Sequence, residues 1–180
     1  MRQQAGFSLI ELLVAVAIIA GLGTILVQAF FTTTRSGIKV DKLTDVKQNG
    51  EYAMSVMERM IRNARSLTAL CTSDGATAIP SVAIFNLDGY QTTFACTLDS
   101  GVTRIASVSS FGTEYLTSKA VTLGGTSCDA DSLAFYCTSI VQVPKSVKVT
   151  FQISQKGTSP DAFEKASTSF QTSIAVRSQQ

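Results

Sequence analysis

The chain has 180 residues, 45% hydrophobic and 16% charged, which is too apolar for a disordered chain and too polar for a multi-span membrane protein. Its 15 Lys+Arg against 13 Asp+Glu leave a formal charge of +2, giving no general pull toward nucleic acid. Histidine is absent, which removes the commonest general base, the commonest zinc ligand and the His-dependent triads.

Residues 1–6 form a short polar segment with one basic residue, Arg2. From Phe7 to Phe31 the chain is almost wholly apolar, long enough at ~1.5 Å per helical residue to span a hydrocarbon core of ~30 Å. The interruptions are Ser8, Glu11, Thr24 and Gln28. Serine and threonine can bond back to a helix backbone. Glu11 is different: a carboxylate at the centre of a membrane helix costs about 2.5–3.5 kcal/mol, and such residues usually have a partner and a function. A secretory signal has a shorter apolar core, ~7–15 residues, closed by small residues. Here Ala15 and Ala17 fall in mid-run. A plain signal anchor gives no reason for Glu11.

The run Gly6-Phe7-Ser8-Leu9-Ile10-Glu11-Leu12-Leu13-Val14 resembles the processing motif of type IV prepilins and type II secretion pseudopilins. The resemblance implies a leader, 1–6, cut off between Gly6 and Phe7 by prepilin peptidase, and N-methylation of the new terminal Phe7. It implies that Glu11 meets the Phe7 amine of a neighbouring subunit during filament assembly. The physical chemistry agrees: cleavage creates an α-amino group with a reference pKa of ~7.7–8.0, and a buried charge pair of this kind sets register more than it adds stability. The implied partners are other pilin or pseudopilin subunits, prepilin peptidase, the cytoplasmic membrane and the pilus assembly platform. The basic flank is heavier after the apolar run (Arg35, Lys39, Lys42, Lys47) than before it (Arg2), opposite to a simple positive-inside count. The resemblance and the cysteines place the N-terminus in the cytoplasm and the C-terminal domain outside.

Beyond Phe31 the apolar residues Ile38, Leu43, Val46, Ala53, Met57, Met60, Ile61 and Ala64 recur mostly three or four apart. The spacing predicts one helix from Phe7 to about Ser66, a membrane half (7–31) and an amphipathic half (32–66). Gly37 and Gly50 read as weak points, each costing ~1 kcal/mol against alanine. The segment Glu51–Arg65 is similar to the corresponding helix of W-type minor pilins and J-type pseudopilins, which implies a minor subunit. Arg59, Arg62 and Arg65, three apart, predict a basic ridge. Its functional reading is contact with an acidic neighbour or with DNA; a solvated helix face is the simpler one.

From Ser73 the period changes to that of strands. Expected strands are Ser81–Leu87, Gln91–Leu98, Val102–Val108, Lys119–Leu123, Ser132–Cys137, Ser146–Ser154 and Ser169–Arg177, with turns at Asp88-Gly89 and Ser100-Gly101 and a long surface loop over 156–165. The expected fold is therefore α+β: a long N-terminal helix packed on a mostly antiparallel sheet domain (67–180), as in pilins. Cys71, Cys96, Cys128 and Cys137 lack C-x-x-C spacing, so disulfides are expected in an exported domain rather than zinc. Four cysteines allow three pairings; Cys71–Cys96 with Cys128–Cys137 is preferred, because a hairpin-sized segment separates the second pair. Asp88, Asp99, Asp129 and Asp131 do not form a complete calcium loop and read as surface turns. No glycine loop for phosphate and no nucleophile elbow is present, so neither cofactor nor catalysis is expected.

Overall fold

A computed structural model describes residues 8–68, 75–129, 132–140, 143–157 and 166–176. The chain divides into two units, Met1–Val40 and Asp41–Gln180. One helix, α1 (Leu9–Arg62), contributes to both.

In the first unit α1 carries an almost uninterrupted apolar sequence, and none of the side chains from Leu9 to Thr34 is buried. Its threonine hydroxyls are satisfied within the helix. Thr24 donates to the Gly21 carbonyl (2.8 Å), and Thr32, Thr33 and Thr34 donate to the carbonyls four residues earlier (2.9, 2.9 and 3.0 Å). Hydroxyls bonded in this way are compatible with an apolar medium.

In the second unit α1 buries one stripe: Val46, Gly50, Ala53, Met57 and Ile61, continued by Ala64 just past its end. Leu43 and Met60 are half-buried at its margins, and the Ile38 side chain lies outside those described. The helix stops at Arg62, four residues earlier than the periodicity predicts. The Arg65 N–H bonds to the Phe85 carbonyl (2.8 Å), which turns the chain into strand β1 (Ser66–Leu67). Arg65 is therefore off the helix, and the expected three-residue ridge is reduced to Arg59 and Arg62. Arg62 itself pairs with Glu58 one turn back.

The strands are β2 (Ala78–Ile79), β3 (Ser81–Phe85), β4 (Gln91–Asp99), β5 (Val102–Ser109), β6 (Gly112–Tyr115), β7 (Val121–Thr122), β8 (Leu133–Ile140), β9 (Val143–Gln155) and β10 (Ser167–Ala175). They form two sheets, not one. The first has the order β1-β3-β4-β5-β6; the second has β10-β9-β8-β2, with β7 also on β9. Every pairing is antiparallel. The turn expected at Asp88-Gly89 closes β3 on β4, with Gly89 at φ 85° and the Asp88 carboxylate accepting the Tyr90 N–H (3.0 Å). The turn expected at Ser100-Gly101 closes β4 on β5, both residues at positive φ (54° and 78°), the conformation that a two-residue hairpin turn requires. The alternating run 147–153 pairs with β10 as expected, Val149 opposite Thr172.

Apolar side chains from both sheets meet the helix stripe in one core that includes Met57, Ile61, Ile84, Phe94, Ile105, Phe135, Val149 and Ile153. Burial of each such side chain contributes ~1.5–3 kcal/mol. Two contacts fix the helix on this body. The ring of Phe170, stacked on Phe151 (centroids 5.2 Å apart), covers Gly50. The Asn49 side chain donates to the Asp45 carbonyl (2.8 Å) and accepts the Ser118 N–H (2.7 Å).

The cysteine pairing differs from the expected one. Cys96, on β4, is joined to Cys128, in the segment after β7, with Cα atoms 5.5 Å apart. Cys137 is also disulfide-bonded, and Cys71 lies outside the described residues. The stretch leading to Cys137 is an extended strand, not a hairpin. At ~3.3 Å per residue, β8 carries the chain away from Cys128, and Cys137 enters the core opposite Val147.

Candidate assembly site

The feature that carries chemistry is the start of α1. Ser8 precedes the first helical residue, Leu9. Its carbonyl accepts the Leu12 N–H (3.3 Å) and the Glu11 N–H (3.1 Å), and its hydroxyl also accepts the Glu11 N–H (3.4 Å). Ser8 is thus the N-cap, and Glu11 stands at the third helical position. Ser-x-x-Glu is the residue pair of a capping box. This signal is legible in the sequence, yet the apolar run hides it.

Glu11 lies in the first helical turn, where the helix dipole favours an anion. It is the sole charged residue between Ser8 and Thr34. Among the described residues it has no cationic partner. Around it Leu9, Ile10, Leu12 and Leu13 are 59–78% exposed. An isolated carboxylate among bare aliphatic side chains has its requirement for a counter-charge unmet within its own span. Gly6 and Phe7, the residues expected to flank the cleaved bond, lie outside the described residues.

A second polar cluster escapes sequence reasoning. Arg104 on β5 is 8% exposed. It donates from Nε to the Thr117 carbonyl (2.8 Å), from Nη2 to the same oxygen, and from Nη1 to Asp99 Oδ2 (2.6 Å). Its guanidinium stands 4.0 Å from the centre of the Tyr115 ring. Asp99 also accepts from the Ser100 hydroxyl (3.0 Å) and has Lys119 Nζ at 3.4 Å. The Arg104 hydrogen bond holds the Asp99 carboxyl below the usual carboxylate range; burial opposes this, and Ser100 and Lys119 add to it. This cluster ties β4, β5 and β6 together and leaves Asp99 committed to cations. The Asp129 carboxylate accepts from the Ser127 hydroxyl (3.0 Å), and Asp131 lies outside the described residues. Among the described residues no three His, Cys, Asp or Glu side chains group as metal ligands.

A long N-terminal apolar helix followed by antiparallel sheets is a pilin-like α+β architecture, and α1 is long and apolar enough to cross a membrane. Residues 1–26 match the family described as the prokaryotic N-terminal methylation motif. The chain thus carries the prepilin-type cleavage and methylation signature of type IV pilins and pseudopilins. Comparison with curated proteins and with solved structures gave no match.

Proposed function

We propose that this chain is a structural subunit, minor in abundance, of a type IV pilus or a related pseudopilus. Its N-terminus lies in the cytoplasm, residues 7–31 span the cytoplasmic membrane and the β-rich domain lies outside. Prepilin peptidase hydrolyses the Gly6–Phe7 amide, leaving a carboxylate on Gly6 and an amine on Phe7. A methyl donor then replaces one N–H proton of that amine with a methyl group. The assembly platform passes the mature subunit into a filament, where the Phe7 amine of one subunit pairs with Glu11 of the next. The observation that carries this reading is Glu11: one acidic group, capped into the first turn of a bare apolar helix, within a matched methylation motif. A cation released a few residues upstream is the counter-charge it lacks.

Intact-mass and N-terminal analysis of the protein purified from membranes tests the reading. The expected product begins at Phe7 and carries one methyl group. An unprocessed Met1 terminus in cells that contain the peptidase overturns it and leaves a tethered extracytoplasmic binding module in its place.

A further inference from the structure

The core-facing side of the first sheet changes character toward the β3–β4 and β5–β6 turns. Phe94 and Ile105 are fully buried in the core. Toward the turns the same side carries Thr92 on β4, Ser107 on β5 and, directly opposite Ser107, Glu114 on β6. Met60 of α1 faces these three across a cleft of about 330 Å³, a size found among small-ligand sites. A hydroxyl on the buried side of a strand needs a partner. Thr92 has one: it accepts from Asn86 Nδ2 (2.8 Å), which leaves its own O–H to donate. Ser107 does not. It is only 9% exposed, lines the cleft, and its hydroxyl makes no hydrogen bond among the described residues. Glu114 has no ion pair among them either. At the rim, on the β5–β6 turn, Phe111 is 77% exposed, and Tyr90 from the β3–β4 turn braces it edge to face (centroids 4.8 Å apart). A second cleft, of about 360 Å³, shares Met60 and adds the amides of Asn63 and Asn86.

We propose that this cleft binds a neutral pyranose oligosaccharide. A pyranose has one face of C–H groups, which packs on an aromatic ring, and a rim of hydroxyls that both donate and accept. The cleft matches each part: Phe111 supplies the ring, Thr92 a donor, Glu114 an acceptor and Ser107 both. Ligand hydroxyls take the place of solvent at Ser107. A purely apolar ligand would strand Ser107 and Glu114. A basic side chain would gain only an ion pair with the exposed Glu114, which contributes little in water. The proposal does not depend on cleavage or assembly, which concern the N-terminal end of α1.

The test uses the full-length chain with isotope-labelled methionine methyls, in a detergent that carries no sugar. It is titrated with maltotriose, cellotriose and triacetylchitotriose, which differ in linkage and N-acetylation. At least one is expected to shift the Met60 methyl resonance saturably and leave Met57, in the core, in place. Phe111→Ala and Ser107→Ala are each expected to raise Kd about 2- to 13-fold. Leu98→Ala, exposed near the opposite end of β4, is expected to leave Kd unchanged. Phe111 is exposed, so its variant tests binding without testing folding. No saturable shift with any of the three sugars overturns the proposal, as does an affinity that neither Phe111→Ala nor Ser107→Ala alters. A shift evoked only by glycyl-arginyl-glycine also overturns it and assigns the cleft to a basic side chain.

Discussion

The ring of Phe170 occupies the space that a side chain at position 50 would need: a Cβ on Gly50 would lie 2.1 Å from Phe170 Cζ. Gly50 is therefore the seat on which β10 meets the helix, not merely a weak point in it. Gly50→Ala is expected to destabilise the protein by up to about 2 kcal/mol. Overpacking at ~1–3 kcal/mol outweighs the ~1 kcal/mol gain in helix propensity. Thermal unfolding of the full-length chain in detergent measures this. Pairing the change with Phe170→Leu should cost less than the sum of the two single changes. A stabilised Gly50→Ala protein would contradict the packing.

Asp99 makes stability depend on pH in a fixed direction. Its native pKa lies below its unfolded value, ~3.9, so the unfolded chain takes up the proton first as pH falls. The contribution is complete above the unfolded pKa and is lost as pH drops through the native one. Urea midpoints of wild type and Asp99→Asn should differ near neutrality, and the gap should close as pH falls below the unfolded value. A gap that does not change with pH would show that the carboxylate charge is irrelevant to Arg104.

The Cys96–Cys128 bridge closes a loop with a sequence separation of 32. On the chain-entropy model its removal costs about 3–4 kcal/mol. Cys96→Ser with Cys128→Ser should lower the denaturation midpoint by a matching amount. Peptide mapping without reductant should recover residues 96 and 128 in one linked species. A linked Cys71–Cys96 species would restore the pairing preferred from sequence.

Glu11→Ala is expected to leave cleavage and methylation intact while removing the subunit from filaments. The comparison is between intact mass, which should show the same cleavage and single methyl group as wild type once the substitution itself is allowed for, and the share of subunit in the sheared filament fraction, which should collapse. Glu11→Gln should behave the same way, because it keeps a polar group but loses the charge that the amine requires. Wild-type incorporation of either variant would remove the charge pair from the assembly mechanism.

The helix, the two hairpin turns and the β9–β10 pair were legible because each is written in local terms: a period near 3.6, glycine at positive φ, strict alternation. Other features are not local. Strand β6, Gly112–Tyr115, is exposed throughout and has no apolar alternation to announce it. Strands β1 and β2 are two residues long and exist only because partners are present. Gly50 looks like a helix defect until Phe170, far along the chain, is placed on it. Arg104 reads as one more charge in an apolar stretch until Asp99 and the Thr117 carbonyl converge on it. The disulfide partners were misjudged because nearness in sequence stood in for nearness in space. At the helix start the motif residues were legible, while the role of Ser8 as a cap was overlooked beside Glu11.

The chain changes sheets across a single residue, Pro80, which separates β2 in one sheet from β3 in the other. It crosses again between β6 and β7, and just past β7 the Leu123 N–H reaches back to the Thr103 carbonyl on β5 (3.1 Å). The second sheet thus takes strands from both sides of the segment that builds most of the first, like two hands of cards shuffled together. All five strands of the first sheet precede β7, whereas the second needs β2 from before β3 and β7 to β10 from after β6, so a chain cut after Tyr115 would keep every strand of the first sheet and leave β2 without its partner β8.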